Sequence, residues 1–290
     1  MISVDLFINA VVAGLLLGGF YAAVSLGITI SFGMLDIANI AQPAFILLGS
    51  YAAYIFNQNY GVDPILTGIV MTPAFFVLGM AVYELYYHAF EKRGDQAIQG
   101  LAFFFGLLFV GEVSLVLIFG VDYRFVEASY IGPSLRWWIL DLPLRMLIPC
   151  VVSILMIIVV QQFLSRSFLG RAILAVSQDP GALQLMAASP KKIKRAAVGI
   201  SIATCSLAGA FLIIIQPVEP SIGRDYIGRI FAICVLGGMT SFPGMLAAAM
   251  LLGIVESITA TFYGPSWAPA VSFGFLLIAL AVRPAGLAGR

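Results

Sequence analysis

Apolar stretches of about 17 to 25 residues recur along almost the whole chain, and only membrane-spanning helices accommodate such runs one after another. At about 1.5 Å per residue, each is long enough to cross a hydrocarbon core of about 30 Å. The runs lack the period-two alternation of a transmembrane barrel strand. Of 290 residues, 61% are apolar and 10% charged, which is more hydrocarbon than a water-soluble core can hide. The expected fold is an all-α integral membrane protein, a single domain over residues 1–290.

The first apolar stretch, Leu6 to Leu35, is too long for one untilted span and contains Gly27 and Gly33. A break near Gly33 follows. Further spans read as Pro43 to Phe56, Ile65 to Ala89, Ile98 to Phe119, Leu144 to Phe163 and Ile193 to Ile215. Three shorter ones read as Ile227 to Thr240, Met245 to Thr261 and Trp267 to Val282. The total is eight or nine spans, some of them broken helices. No Lys or Arg precedes Lys92, so the loop from Asn57 to Asp63 is expected outside the cell by the positive-inside rule. Lys92 and Arg93 mark one inner loop, Arg166 to Arg195 a second, and Arg283 and Arg290 an inner C-terminus. Cys150, Cys205 and Cys234 all fall in apolar spans and read as buried free thiols.

A net charge of +1 gives no support to nucleic acid binding. A single histidine excludes a zinc-binding His-Glu-x-x-His helix, and neither a Gly-x-Ser-x-Gly elbow nor a phosphate-binding Gly-x-x-x-x-Gly-Lys loop occurs. No catalytic residue and no metal site is expected.

Three constellations stand out. Between Arg166 and Arg195 lie six of the fifteen basic residues. Within this segment Asp179 is a good N-cap, Pro180 suits the first helical position, and Ser189-Pro190 stops the helix. Leu183, Met186 and Ala187 share one face, an apolar knob suited either to a groove on another protein or to a lipid surface beneath the lysines.

The second constellation is a polar patch after the first span: Ser31, Asp36, Asn39 and Gln42. Amide and hydroxyl groups at a broken helix can replace a solute's water, and they can equally satisfy the backbone freed by the break. Leu26 to Leu35 is echoed by Leu236 to Leu246 once Pro243 is set aside, which makes Thr240 and Ser241 its counterpart. The third constellation is Glu112 and Glu256, carboxylates within apolar spans. Helix-to-helix hydrogen bonding is the favoured role and a proton relay the alternative.

The run Gly14-Leu-Leu-Leu-Gly-Gly-Phe-Tyr-Ala-Ala-Val-Ser-Leu-Gly-Ile-Thr-Ile-Ser-Phe-Gly33, with Ile37-Ala-Asn-Ile-Ala-Gln42, resembles the opening of LivH-type permeases of bacterial branched-chain amino acid ABC importers. Gly170-Arg-Ala through Ser177-Gln-Asp179 and Leu185-Met186 are similar to their cytoplasmic coupling segment. Gly237-Gly238, Phe242-Pro-Gly-Met245, Gly253-Ile-Val-Glu-Ser257 and Arg283-Pro-Ala-Gly-Leu287 match their C-terminal motifs.

The resemblance implies an ABC importer permease fold in a bacterial cytoplasmic (inner) membrane, working by alternating access. Residues 166–195, with Gly170, Arg171, Asp179, Pro180, Leu183, Met186, Ala187 and Ser189, become the segment coupled to ATP-binding subunits, which would hold the ATP and magnesium; this chain would hold no cofactor. A second permease, related or identical, and a periplasmic or extracellular solute-binding protein are implied, with membrane lipid around them. Branched-chain amino acids are the implied solutes, with urea, amides or aromatic acids as alternatives. An ion-driven carrier using Glu112 and Glu256 is the rival mechanism. Two departures stand out: Ala187 takes the place of a usual glycine, and Gln42-Pro43 that of a usual His-Gly.

Overall fold

Proline and short polar side chains set where the helices begin. In the computed structural model, residues 4–91, 97–137, 140–179, 181, 183 and 188–267, with isolated positions between 270 and 281, are described. Among them run nine helices: α1 (Val4–Leu35), α2 (Gln42–Tyr60), α3 (Pro64–Ala89), α4 (Ala97–Phe119), α5 (Leu144–Arg166), α6 (Phe168–Gln178), α7 (Pro190–Ile215), α8 (Gly223–Gly237) and α9 (Phe242–Phe262). The Asp63 carboxylate accepts from the Ile65 N–H at 2.8 Å just before Pro64 opens α3. Ser167 caps α6 through Gly170 N–H at 2.9 Å, and Ser241 caps α9 through Gly244 N–H at 3.1 Å. Each cap satisfies a donor that a helix start leaves orphaned.

Six helices, α1, α3, α4, α5, α7 and α9, are long and apolar enough to cross a membrane. The chain is therefore a polytopic, all-α membrane protein. The span expected from Ile227 to Thr240 is α8, shifted toward the N-terminus. Half of the span expected from Trp267 to Val282 lies outside the described residues, as do Lys92, Arg93, Arg283 and Arg290.

Helices α1 and α7 form the centre. In their most apolar windows 72% and 94% of residues are buried, against 22% in α4, whose Phe105, Val110, Leu117 and Ile118 face outward. With lipid tails as apolar as leucine, close van der Waals packing between small residues has to hold such helices together. At the α1–α9 crossing a Cβ on Gly14 would lie 2.5 Å from Ile254 Cα, and one on Gly18 2.6 Å from Met250 Cα. The Gly14-x-x-x-Gly18 stripe is thus what lets α9 run antiparallel against α1.

Loops 57–63, 120–143 and 216–222 gather at one end of the bundle. Asn57 donates to Val62 O at 3.1 Å and Glu127 O at 3.0 Å, while Arg124 and Val218 exchange backbone hydrogen bonds at 2.8 Å. This end also carries a feature absent from the sequence reading. A two-stranded hairpin, β1 (Ser134–Trp137) and β2 (Leu140–Pro143), pairs Leu135 with Leu142 and Arg136 with Asp141. It is tied to α1 by the Asp141 N–H, which donates to Asn9 Oδ1 at 3.1 Å.

The opposite end carries the α5–α6 corner. A Cβ on Gly170 would lie 2.4 Å from both Leu164 Cα and O, so only glycine allows the turn to close there. All three cysteines are buried and unpaired.

Candidate translocation site

Helix α1 ends at Leu35, two residues after Gly33, because the chain turns left-handed at Asp36 (φ 55°). Ile37 N–H donates back to Ser31 O at 3.0 Å and Asp36 N–H to Phe32 O at 3.2 Å, which satisfies carbonyls that the helix end leaves open. Two tight turns follow, and α2 begins at Gln42 with Pro43 in its first turn. The reversal carries Gln42 back alongside the middle of α1.

There the side chains form a desolvated polar node. Gln42 is 1% exposed, and Ser31, Asn39 and Ser201 are fully buried. Asn39 Nδ2 donates to Gln42 Oε1 at 3.3 Å, and Gln42 Nε2 donates to Cys205 Sγ at 3.0 Å. Ser201 has one hydroxyl proton, and it goes to Gly27 O at 2.6 Å, not to Gln42 Oε1 at 3.4 Å. Gly27 is what admits the amide: a Cβ at that position would lie 1.9 Å from Gln42 Nε2. Asn39 Oδ1 has no hydrogen-bond partner among the described residues. A buried carbonyl oxygen left in that state costs about 1–3 kcal/mol. Stability alone gives no reason to keep it.

The second interruption lies between α8 and α9. Helix α8 stops at Gly237, Gly238 takes a φ of 87°, and Ser241 N–H donates to Gly238 O at 2.9 Å before α9 starts. This turn abuts the end of α1: a Cβ on Gly33 would sit 1.7 Å from Met239 O. Thr29 Oγ1 lies 3.1 Å from Met245 Sδ, and the Phe32 and Phe231 rings are 5.7 Å apart. The two segments that echo each other in sequence therefore pack against each other.

The expected site residues do not all converge. Asn39 and Gln42 meet, and Ser31 hydrogen-bonds Gly27 O, the same carbonyl that Ser201 takes. Asp36 is exposed and borders a separate cavity of about 150 Å³ with Phe32, Tyr86 and Phe104. Ser241 is spent on its cap, and Thr240 is exposed on the turn.

Two functional-looking residues escape a reading by span alone. Arg224 in the first turn of α8 forms a bidentate pair with Glu112 of α4, with Nε–Oε2 at 2.8 Å and Nη2–Oε1 at 2.6 Å. Five residues on, Arg229 pairs with Glu256 of α9 at 2.8 Å, and the Tyr21 hydroxyl donates to the other carboxylate oxygen. The two carboxylates expected to make helix-to-helix hydrogen bonds thus make ion pairs. Counting intramembrane acids and asking which base neutralises each is the signal that finds Arg224 and Arg229.

At the opposite end, Asp179 Oδ1 accepts from Gly181 N–H at 2.8 Å, and Leu183 N–H lies 3.4 Å from Asp179 O. Leu183 is half-buried and packs against the chain's own core. Arg171 is exposed on the outer face of α6, and Ser189 directly precedes α7. Pro180, Met186 and Ala187 lie outside the described residues. Three of the four basic residues that open α7 are paired with two carboxylates within the chain. Lys191 and Arg195 reach Glu84 of α3, Lys194 reaches Glu91 at 2.7 Å, and the Tyr83 hydroxyl donates to Glu91 at 2.8 Å.

Residues 10–280 match the family model described as branched-chain amino acid transport system / permease component. The chain is 26% identical to the high-affinity branched-chain amino acid transport system permease protein BraD of Pseudomonas aeruginosa, over 98% of this chain and 96% of that one. It is 24% identical to the corresponding protein LivH of Escherichia coli K12, with the same coverage. Among solved structures it resembles a chain of PsaBC from Streptococcus pneumoniae in complex with Fab, with a TM-score of 0.50, 14% identity and coverage of 96% of this chain and 92% of that chain. At that identity the likeness is one of fold.

Proposed function

The chain belongs to the family of branched-chain amino acid transport system permease components, membrane subunits of ABC transporters and not enzymes, and we propose that it carries branched-chain amino acids inward across a bacterial cytoplasmic membrane. The observation that supports this best is the meeting of the two helix interruptions, 36–41 and 238–241, at the end of α1, with an uncharged polar node one helical stretch away. Broken helices meeting at a central point expose backbone dipoles to a passing solute without placing a permanent charge in its way. Alternating access would shift α2 and the α8–α9 turn against α1.

In this scheme separate ATP-binding subunits, holding ATP and magnesium, dock at residues 166–195, which face the cytoplasm together with the C-terminus. Asp179 starts the docking helix. Movement imposed there would reach the bundle through the ion pairs that bind the start of α7 to the end of α3. A second permease chain completes the two-fold assembly. A solute-binding protein delivers its cargo at the end formed by loops 57–63, 120–143 and 216–222.

The test is uptake of labelled leucine into proteoliposomes holding the assembled importer. ATP and the binding protein should both be required. Uptake that continues without the ATP-binding subunits and collapses when a proton gradient is dissipated would show an ion-driven carrier instead.

A further inference from the structure

Beside the end of the bundle that holds the β hairpin, α1, α5, α8 and α9 border an open cavity of about 350 Å³. Its walls divide by chemistry. Ala13, Leu17, Met146 and Ala260 make an aliphatic side, while Arg229, Glu256, Ser257 and Thr261 make a polar one.

The hydrogen-bond state of the polar side is specific. Ser257 Oγ donates its proton to Ala10 O at 2.8 Å, and Thr261 Oγ1 donates its proton to Ser257 O at 2.7 Å. A hydroxyl has one proton, so both present only lone pairs to the cavity. Arg229 places Nε on Glu256 and Nη1 on Asp225 O at 3.0 Å. Its Nη2 donates to no described residue. The site therefore holds one guanidinium donor edge and two hydroxyl acceptors, one helical turn apart on α9, above an aliphatic wall. Arg229 and Glu256 cancel in charge, so a net-charged solute gains nothing overall. Unused guanidinium protons and hydroxyl lone pairs are costly against hydrocarbon, which makes this a wetted or ligand-filled pocket and not a lipid contact.

We propose that this cavity is an entry site for a neutral aliphatic α-amino acid. The carboxylate lies on the Arg229 edge, the ammonium group donates to Ser257 and Thr261, and the side chain rests on Ala13, Leu17 and Met146. A cavity of this volume falls within the range of small-molecule sites. The assignment rests on the transport function proposed above and names a subsite for its solute.

Labelled leucine binding to the assembled importer in nanodiscs, without ATP or binding protein, tests it. Thr261→Val removes an acceptor and keeps the shape, and Ala260→Leu fills the cavity; neither touches the charge pair. Thr261→Val is expected to weaken binding about tenfold, the worth of a hydrogen bond to a charged group, and Ala260→Leu, by occupying the space of the side chain, at least as much. Valine should compete, whereas 4-methylvalerate and isoamylamine, which each lack one charge, should not. Absence of binding, binding that neither variant weakens, or equal competition by the bare carboxylate overturns the site. Parallel uptake assays separate the two claims: ATP-driven leucine uptake with binding unmoved by either variant sinks the entry site alone, and absence of any aliphatic amino acid uptake sinks the transport function.

Discussion

Replacing Gly27 with Ala tests whether the polar node is a fitted contact. The new Cβ would lie 1.9 Å from Gln42 Nε2, 2.6 Å from Ser201 O and 2.9 Å from Thr204 Oγ1. The amide can swing away, but the Ser201 carbonyl is fixed in α7. Overpacking of this kind costs about 1–3 kcal/mol. Driving Gln42 off its contacts with Asn39 and Cys205 strands a buried amide, for about another 1–3 kcal/mol. The sum is about 2–6 kcal/mol, a large fraction of a typical stability. Gln42→Ala alone should cost about 1–3 kcal/mol by stranding Asn39. In the double variant the worst clash is gone and the amide can be stranded only once, so the costs should fall short of additivity by at least about 1 kcal/mol. Unfolding free energies from detergent-denaturation titrations of the four proteins close this cycle. Strict additivity, or a Gly27→Ala protein as stable as the parent, would refute the packing described for α1, α2 and α7.

Three further outcomes are expected. Arg229→Met leaves Glu256, 2% exposed, as an uncompensated buried charge and should destabilise by about 3–5 kcal/mol, whereas Arg229→Met with Glu256→Leu should recover most of that loss in the same titration. Asp36→Gly relieves a positive φ and should raise or leave unchanged the melting temperature, while Asp36→Val should lower stability by about 1–2 kcal/mol. Glu91→Gln breaks the pair with Lys194 and should reduce solute-stimulated ATP hydrolysis by the assembled importer several-fold. Adding Lys194→Gln should reduce it no further, since one interaction can be lost only once; an additive fall would detach the α3–α7 clamp from coupling.

What could be read in advance was whatever local chemistry decides. Gly33 followed by a polar patch marked the end of α1 within two residues, whereas the span read to Thr240 stops at Gly237 and Ser241, read as part of the solute path, caps α9. The site was legible only in part, because spacing along the chain does not give direction in space. Asp36 sits three residues from Asn39 yet faces a different cavity, since its left-handed turn reverses the chain between them. The basic run at Lys191–Arg195 looked free for lipid or a partner, and the pairing of Lys191, Lys194 and Arg195 with Glu84 and Glu91 depends on contacts over a hundred residues distant. The hairpin at 134–143 is too short to show a strand period and is fixed by its tie to Asn9.

The ion pairs on α8 also bear on how the machine is driven. With 15 residues, α8 is about 22 Å long, short of a hydrocarbon core of about 30 Å. A helix too short to anchor itself by length needs lateral attachment, and it has one charged tether to α4 through Arg224 and one to α9 through Arg229. A proton relay at Glu112 or Glu256 would have to neutralise the carboxylate once per cycle, stranding its arginine each time and loosening α8 on the side of that pair. A neutral solute in the proposed entry site beside Arg229 and Glu256 would leave that pair intact. Joint replacement of Arg224 and Glu112 by Gln, which preserves polarity and removes the titratable group, is therefore expected to leave ATP-driven uptake within about threefold of the parent, since Glu112 is buried and replacing both members of a buried pair strands no charge and is often close to neutral. Abolished uptake with the assembly still folded would instead make Glu112 a working group of the cycle.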